Sequence, residues 1–526
     1  MQSVYVAGIL VSLLVYLAIG TAAGRKVKSV DDYYVAGRNA PTILIVGSLV
    51  ASFISTGAFM GDTGEVYSGI FVTIAVVGVL QATGYLFGAS FFGRYVRRSR
   101  ALTISDYFGK RFCDRRVQAL AAVTTIVAVM AYMLSAIQGV ATLMSAVTGF
   151  GYSTCVIVAW VSFAVFTVWS GSSGVLITDT VMFLVFLVAA IVGIPFIVDA
   201  AGGWLPAIRD LATSDVVPGI LSAFGNPDYV AETGEGLAWA VVYGVVWAFV
   251  VMVSPWQTSR YLMAKDEKTV LKSAVWSSAM VILVTMALYF SAAFMRVVNP
   301  SLSDPSQVIV WAAINVMPLI VGVILLTGIL AAGISSAATF LSLIGFSLMN
   351  DIVAKKGVDE KKNLRASRAG MLAGSLVVLV LAYLNPPQIF IIMYFGGTVI
   401  ASSWAVVAIA SVWCRRLSGT GAFLGMLFGF AACCGLKIFG MVSGVSLPLW
   451  ADPFIVGVVF SAVGCVVGSV AKPVSGSEEA QYDALHSAGE EVAGVRKYGI
   501  GYAAFGVAFA LAMLALYAIP YSSAVA

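Results

Sequence analysis

Charged residues are scarce in this sequence. Asp, Glu, Lys and Arg make up 10% of its 526 residues, while 60% are hydrophobic. Soluble domains carry about 25% charged residues, so a water-soluble globule is excluded. Histidine is nearly missing, His486 being its single example. The six cysteines, Cys113, Cys155, Cys414, Cys433, Cys434 and Cys465, have no metal-ligand spacing with it. A zinc site or a disulfide framework is therefore not expected. The adjacent Cys433 and Cys434 read as packing residues in an apolar run. No phosphate-binding loop of the G-x-x-x-x-G-K-[ST] type occurs, which argues against an ATP-driven pump. No nucleophile–base set stands out, so an enzyme is not expected. The polar segment 472–497 is too short for the output domain of a membrane sensor.

What the sequence does hold is a series of apolar runs, each long enough to cross a hydrocarbon core as a helix. About fourteen can be placed, at 4–23, 42–66, 70–93, 117–148, 152–170, 173–199, 237–255, 271–297, 318–347, 369–384, 389–413, 418–442, 449–471 and 498–518. The first run has no basic segment before it, and RKVK follows it, so it reads as an uncleaved span. Of the 30 Lys and Arg, only Arg209, Arg296 and Lys437 fall on the outer side if the N-terminus is outside. That bias satisfies the positive-inside rule and puts both termini outside. The net charge of +5 reflects this asymmetry, and no nucleic-acid partner is expected. The bilayer is the expected surrounding, and the cytoplasmic (inner) membrane the expected location.

Polar residues inside such spans carry a functional presumption, because burying them in lipid is costly. In the ninth run, AAGISSAATF places Ser335 and Ser336 side by side among Ala331, Ala332, Gly333, Ala337 and Ala338. Hydroxyls and accessible carbonyls at that depth suit a dehydrated hard cation. Small residues with serine also suit plain helix packing. The second run carries SFISTG at mid-membrane, where Ser52, Ser55 and Thr56 compete for backbone hydrogen bonds and Gly57 loosens the helix. The seventh has a matching weakness at VSPWQTSRY, where Pro255 removes an amide donor. Two discontinuous helices five spans apart point to inverted repeats, spans two to six and seven to eleven. Asp179, Asp62, Gln81, Gln138 and Gln257 are further polar candidates. Outside the spans, 200–236 reads as an outer cap, 298–317 as an outer amphipathic stretch and 472–497 as an inner linker.

Five segments, in order, resemble the sodium:solute symporter family. They are DYYVAGRN at 32–39, ASFISTGAFMGDTGEVYSG at 51–69, GSSGVLITDT at 171–180, WQTSRYLMA at 256–264 and WCRRLSGTGAFLG at 413–425. In the fourth, Ser259 replaces the family's glutamine, while Arg260, Leu262 and Ala264 agree. The resemblance implies an all-α polytopic membrane protein with a leucine-transporter-like inverted five-helix repeat and extra terminal helices. The whole chain, 1–526, would form one transporter domain. Its core repeats would cover about 42–199 and 237–413, with peripheral helices at 4–23 and 418–518.

The resemblance also implies sodium as coupling ion. Its ligands would be the carbonyls of Ala51, Ile54 and Ala332 with the hydroxyls of Ser335 and Ser336. Asp179 matches an acidic position that some members use near a second sodium, and it could instead polarise Ser336. Phe53, Ser55, Thr56 and Ala58 would face the central cavity, and Ser254 and Trp256 would approach it from the other broken helix. Gly57 and Ala58 stand where sugar carriers place polar groups, so a small organic acid or amino acid is expected rather than a sugar. Proton coupling through Asp179 or Asp62 is the rival expectation. Asp62 departs from the family's pattern.

Overall fold

The computed structural model describes residues 2–24, 29–223, 235–353, 360–384, 389–445, 447–487 and 495–525. Arg25, Lys26, Lys28, Lys355 and Lys356, counted above as inner charges, lie outside the described residues. So do 224–234 of the expected cap and 488–494 of the expected linker. Among the described residues there is no strand, only an isolated bridge between Ala40 and Ala264. Twelve helices among them are long and apolar enough to cross a membrane. The bent pair Thr42–Phe53 and Gly57–Ser68, inclined by 49°, makes a thirteenth span.

The fourteenth expected span, at 152–170, shares one continuous helix, Tyr152–Ala200, with the span expected at 173–199. Within that helix Ser172–Ala200 has the length and apolarity to cross, and the apolar stretch Tyr152–Val165 precedes it. Counting the 152–170 stretch as a span, each half opens on a broken span followed by four more. An odd number of crossings turns the second half upside down relative to the first.

The 472–497 segment is more than a linker. Gly476–Ser487 is a helix docked on the inner face. The carboxylate of its half-hidden turn, Glu478, accepts from the Gly419 amide at 2.6 Å, and Arg111 donates to the Ser411 carbonyl at 2.7 Å and the Glu478 carbonyl at 3.1 Å. At the outer face, the expected cap contributes the helix Trp204–Ala212, whose Trp204 indole donates to the Leu516 carbonyl at 2.7 Å.

Helices approach closely where glycine permits it. A Cβ at Gly84 would stand 2.3 Å from the Ala248 carbonyl oxygen, so Phe71–Gly88 and Glu235–Val253 can pack only without that side chain. Gly84→Ala is expected to cost about 1–3 kcal/mol and to lower Tm and the monodisperse yield in detergent. Gly435→Ala, with no atom within 4 Å of the added carbon, is the matched control. Equal Tm values for the two variants would refute the packing account.

Candidate functional site

The first broken span stops because its own residues offer other partners. Ile54 ends Thr42–Phe53 in an extended conformation, φ −75° and ψ 102°. The Ser55 hydroxyl then accepts from the Gly57 amide at 3.0 Å, a local bond that replaces a helical one. The second broken span stops at Ser254, also extended at φ −60° and ψ 144°, and restarts at Pro255, which needs no amide partner. The two breaks lie together: the Gln257 amide donates to the Ser52 hydroxyl at 3.4 Å. Their inner ends are tied as well. The Ala40 amide donates to the Met263 carbonyl at 3.0 Å, and the Lys265 amide to the Ala40 carbonyl at 3.1 Å. Arg97 clamps this tie by donating to the Ala264 carbonyl and, at 3.0 Å, to the Lys265 carbonyl.

The helix Leu319–Phe346 presents its two serines to the first break. The Ser335 hydroxyl donates to the Ala51 carbonyl at 2.9 Å and is also 3.1 Å from the Ala332 carbonyl. Ser336 reaches the same Ala51 carbonyl at 3.3 Å. Ala51, Ala332, Ser335 and Ser336 are all fully buried. Four of the expected ion ligands are thus within one hydrogen-bonded group that spans two helices. Ile54 is buried at the adjoining break, and none of these bonds involves it.

Asp179 belongs to a neighbouring network. It is fully buried, accepts from the Ser48 hydroxyl at 2.6 Å and pairs with Arg260 at 3.2 Å. Arg260 also donates to Ser48 at 2.9 Å and to the Thr339 hydroxyl, one turn beyond Ser335. None of these bonds joins Asp179 to Ser336. Ser48, Arg260 and Thr339 line a cavity with Tyr34 and with Leu102, Thr103 and Ile104 of the basic inner loop. The network therefore separates the serine group from the inner side.

A second cavity lies on the other flank of the break. Phe53, Asp62, Gln81, Tyr132, Tyr243, Trp247, Thr285 and Met393 line it with Ala58, Ile74 and Val77. Of the six residues expected at the central cavity, Phe53 and Ala58 are among them. Ser55 spends its hydroxyl on Gly57. Thr56 is wedged between Gly139 and Gly333, where an added Cβ would come within 2.4 and 3.0 Å of its side chain. Ser254 is buried at the second break. Trp256, with none of its surface exposed, packs on Tyr132 at 4.8 Å and Phe340 at 5.9 Å.

The sequence reading missed Tyr132, Tyr243, Trp247, Thr285 and Met393 at this cavity. It also missed Ser48 and Thr339 beside Asp179. The four-residue spacing of Trp239, Tyr243 and Trp247 was a usable signal, since it sets all three on one helix face. Asp62, the polar candidate that departs from the family's pattern, lines the cavity and accepts from the Tyr289 hydroxyl at 2.9 Å.

Paired broken helices with a hydroxyl helix packed on the first break define a secondary transporter of leucine-transporter-like fold. The model of the sodium:solute symporter family matches residues 33–429, and the chain belongs to that family. It is a multi-pass membrane transporter and not an enzyme, and sodium is its coupling ion. The sodium/pantothenate symporter of Escherichia coli (strain K12) is 25% identical over 431 residues, covering 79% of this chain and 87% of the relative. The sodium/proline symporter of Salmonella typhimurium (strain LT2) is 24% identical over 488 residues, covering 88% of this chain and 92% of the relative. Among solved structures, a substrate-bound, outward-open sodium-coupled sialic acid symporter superposes with a TM-score of 0.77 at 15% identity, covering 90% of this chain and 98% of that one. A nucleobase-cation-symport-1 family transporter in a closed conformation gives a TM-score of 0.53 at 11% identity, covering 86% of this chain and 98% of that one. These two likenesses show the fold.

Breaking the Asp179–Arg260 pair leaves one buried charge uncompensated. Arg260→Met is expected to destabilise by about 3–5 kcal/mol, while Asp179→Asn with Arg260→Met should recover most of that loss. Thermal unfolding of the purified variants in detergent reads both effects. A double variant no more stable than Arg260→Met would show that the pair is not the stabilising unit.

Proposed function

We propose that this protein carries a small organic solute into the cell together with sodium, across the cytoplasmic membrane, by alternating access. The solute is an organic acid or an amino acid. The reading rests on one observation above all: the Ser335 hydroxyl meets the Ala51 carbonyl at 2.9 Å, joining two helices through groups that ligate a hard cation. In this reading the carbonyls of Ala51, Ile54 and Ala332 and the hydroxyls of Ser335 and Ser336 hold the ion. A sodium ion there ties the first broken span to Leu319–Phe346 and steadies the break. The solute binds on the far flank of the same break, in the cavity that Phe53 lines. Coupling is then reciprocal, because each ligand favours the arrangement that the other needs.

Asp179 has a role that fits its partners. Its charge is already met by Arg260, so it holds the inner floor closed beneath the ion instead of supplying a first ligand. Release inward requires the Arg260 contacts to Ser48, Asp179 and Thr339 to part, opening the inner cavity.

Two measurements test the reading. Uptake into proteoliposomes should require an inward sodium gradient, and a potassium gradient at equal pH and voltage should not replace it. Equal uptake in the two salts would defeat the sodium assignment. Ser335→Ala and Ser336→Ala should each raise the sodium concentration for half-maximal uptake about tenfold, as expected for about 1–3 kcal/mol lost with one ligand. Unchanged sodium activation in both variants would place the ion elsewhere.

A further inference from the structure

We infer that the solute carries a positively charged ammonium head, and that Asp62 and an aromatic box around Trp247 receive it. This narrows the solute class of the symport reading above and rests on it. Trp247 stands among three other rings that line the same cavity. Phe53 lies at 6.0 Å with an interplanar angle of 86°, Tyr132 at 6.0 Å and 85°, and Tyr243 at 6.2 Å and 65°. All three rings meet the indole at steep angles. Aromatic faces attract cations through their quadrupole, and indole does so best. The box comes from three separate elements, the first broken span, the helix Arg115–Thr148 and the helix Glu235–Val253, so it is a built feature of the fold.

Charge points the same way. Among the described residues, Asp62 is the one carboxylate lining the cavity, and no Lys or Arg lines it. The Tyr289 hydroxyl donates to one oxygen of Asp62 at 2.9 Å and fixes the orientation of the carboxylate. Lys437, which is not among the lining residues, stands over the Tyr394 ring at 4.5 Å and the Phe395 ring at 5.7 Å. A simple organic anion entering this space would set a second negative charge beside Asp62 with no basic side chain to balance it. An ammonium group neutralises Asp62 and covers the aromatic faces at once, which offsets the cost of holding a charge at membrane depth. Of the two solute classes expected, an amino acid or other amine fits this cavity and a plain carboxylate does not. Gln81 and Thr285 add neutral hydrogen-bonding groups for the remainder of the molecule.

The test is thermal stabilisation of the purified protein in detergent, in sodium chloride and again in potassium chloride. The probes are choline, glycine betaine and the common amino acids, set against the uncharged carbon analogue of choline and simple carboxylates. Ammonium compounds alone should raise Tm in sodium. Asp62→Asn should weaken the apparent Kd of the best compound about thirtyfold or more, and Trp247→Leu about tenfold, with helical content unchanged by circular dichroism. Stabilisation by carboxylates or the uncharged analogue alone, no stabilisation by any ammonium compound, or an unchanged Kd in Asp62→Asn overturns the inference. An ammonium compound that binds equally well in potassium, and loses affinity in Asp62→Asn, upholds it and defeats the sodium reading instead.

Discussion

Backbone that leaves the helix inside a membrane must find new hydrogen-bond partners, because lipid offers none. Everything at the centre of this protein follows from that constraint at Ile54 and Ser254. Once the first broken span stops, the Ala51 carbonyl turns to Ser335 and Ser336 on another helix. The Gly57 amide turns to Ser55. The second break is covered by proline at 255 and by the approach of Gln257 to Ser52. The Ala51 and Ser52 contacts reach other helices, while Ser55 serves its own span. The breaks therefore act as junctions, where a change at one contact is felt by several helices.

Two routes lead away from the serine group along the helix Leu319–Phe346. Toward the inner side, Thr339 meets Arg260, and Arg260 holds Asp179 and Ser48. Toward the cavity, Phe340 packs on Tyr132 at 5.1 Å, and Tyr132 stands against Trp247. One helix thus touches the proposed ion position, the proposed inner closure and the wall of the proposed solute cavity. In this account, coupling needs no long wire: a helix that shifts when an ion joins it to Ala51 moves all three contacts together. The Ala40 tie to Met263 and Lys265 locks the inner ends of both broken spans against each other. That contact must also be released when the inner side opens.

The overall plan was legible in the sequence because its signals are local. Run length marks the spans, and Pro255 and the Ser–Thr–Gly string at 55–57 mark the breaks within a residue or two. The pairing of Asp179 with Arg260 was not legible. The two residues are 81 positions apart, and only packing decides which buried charge meets which. The cavity wall was hidden for the same reason. Tyr132, Tyr243 and Trp247 look like ordinary aromatic core residues until helices from both halves bring them to one space. Trp256, by contrast, looked like a solute contact by position, yet Tyr132 and Phe340 cover it.

The central claim is that sodium joins the first break to Ser335 and Ser336. Amide hydrogen exchange tests it most directly, because an ion held there must steady the backbone on both sides. In saturating sodium, exchange at residues 52–58 and 333–338 should be slower than in equal potassium. The double variant Ser335→Ala with Ser336→Ala should show no such difference. Identical exchange of the unaltered protein in the two salts would contradict the account.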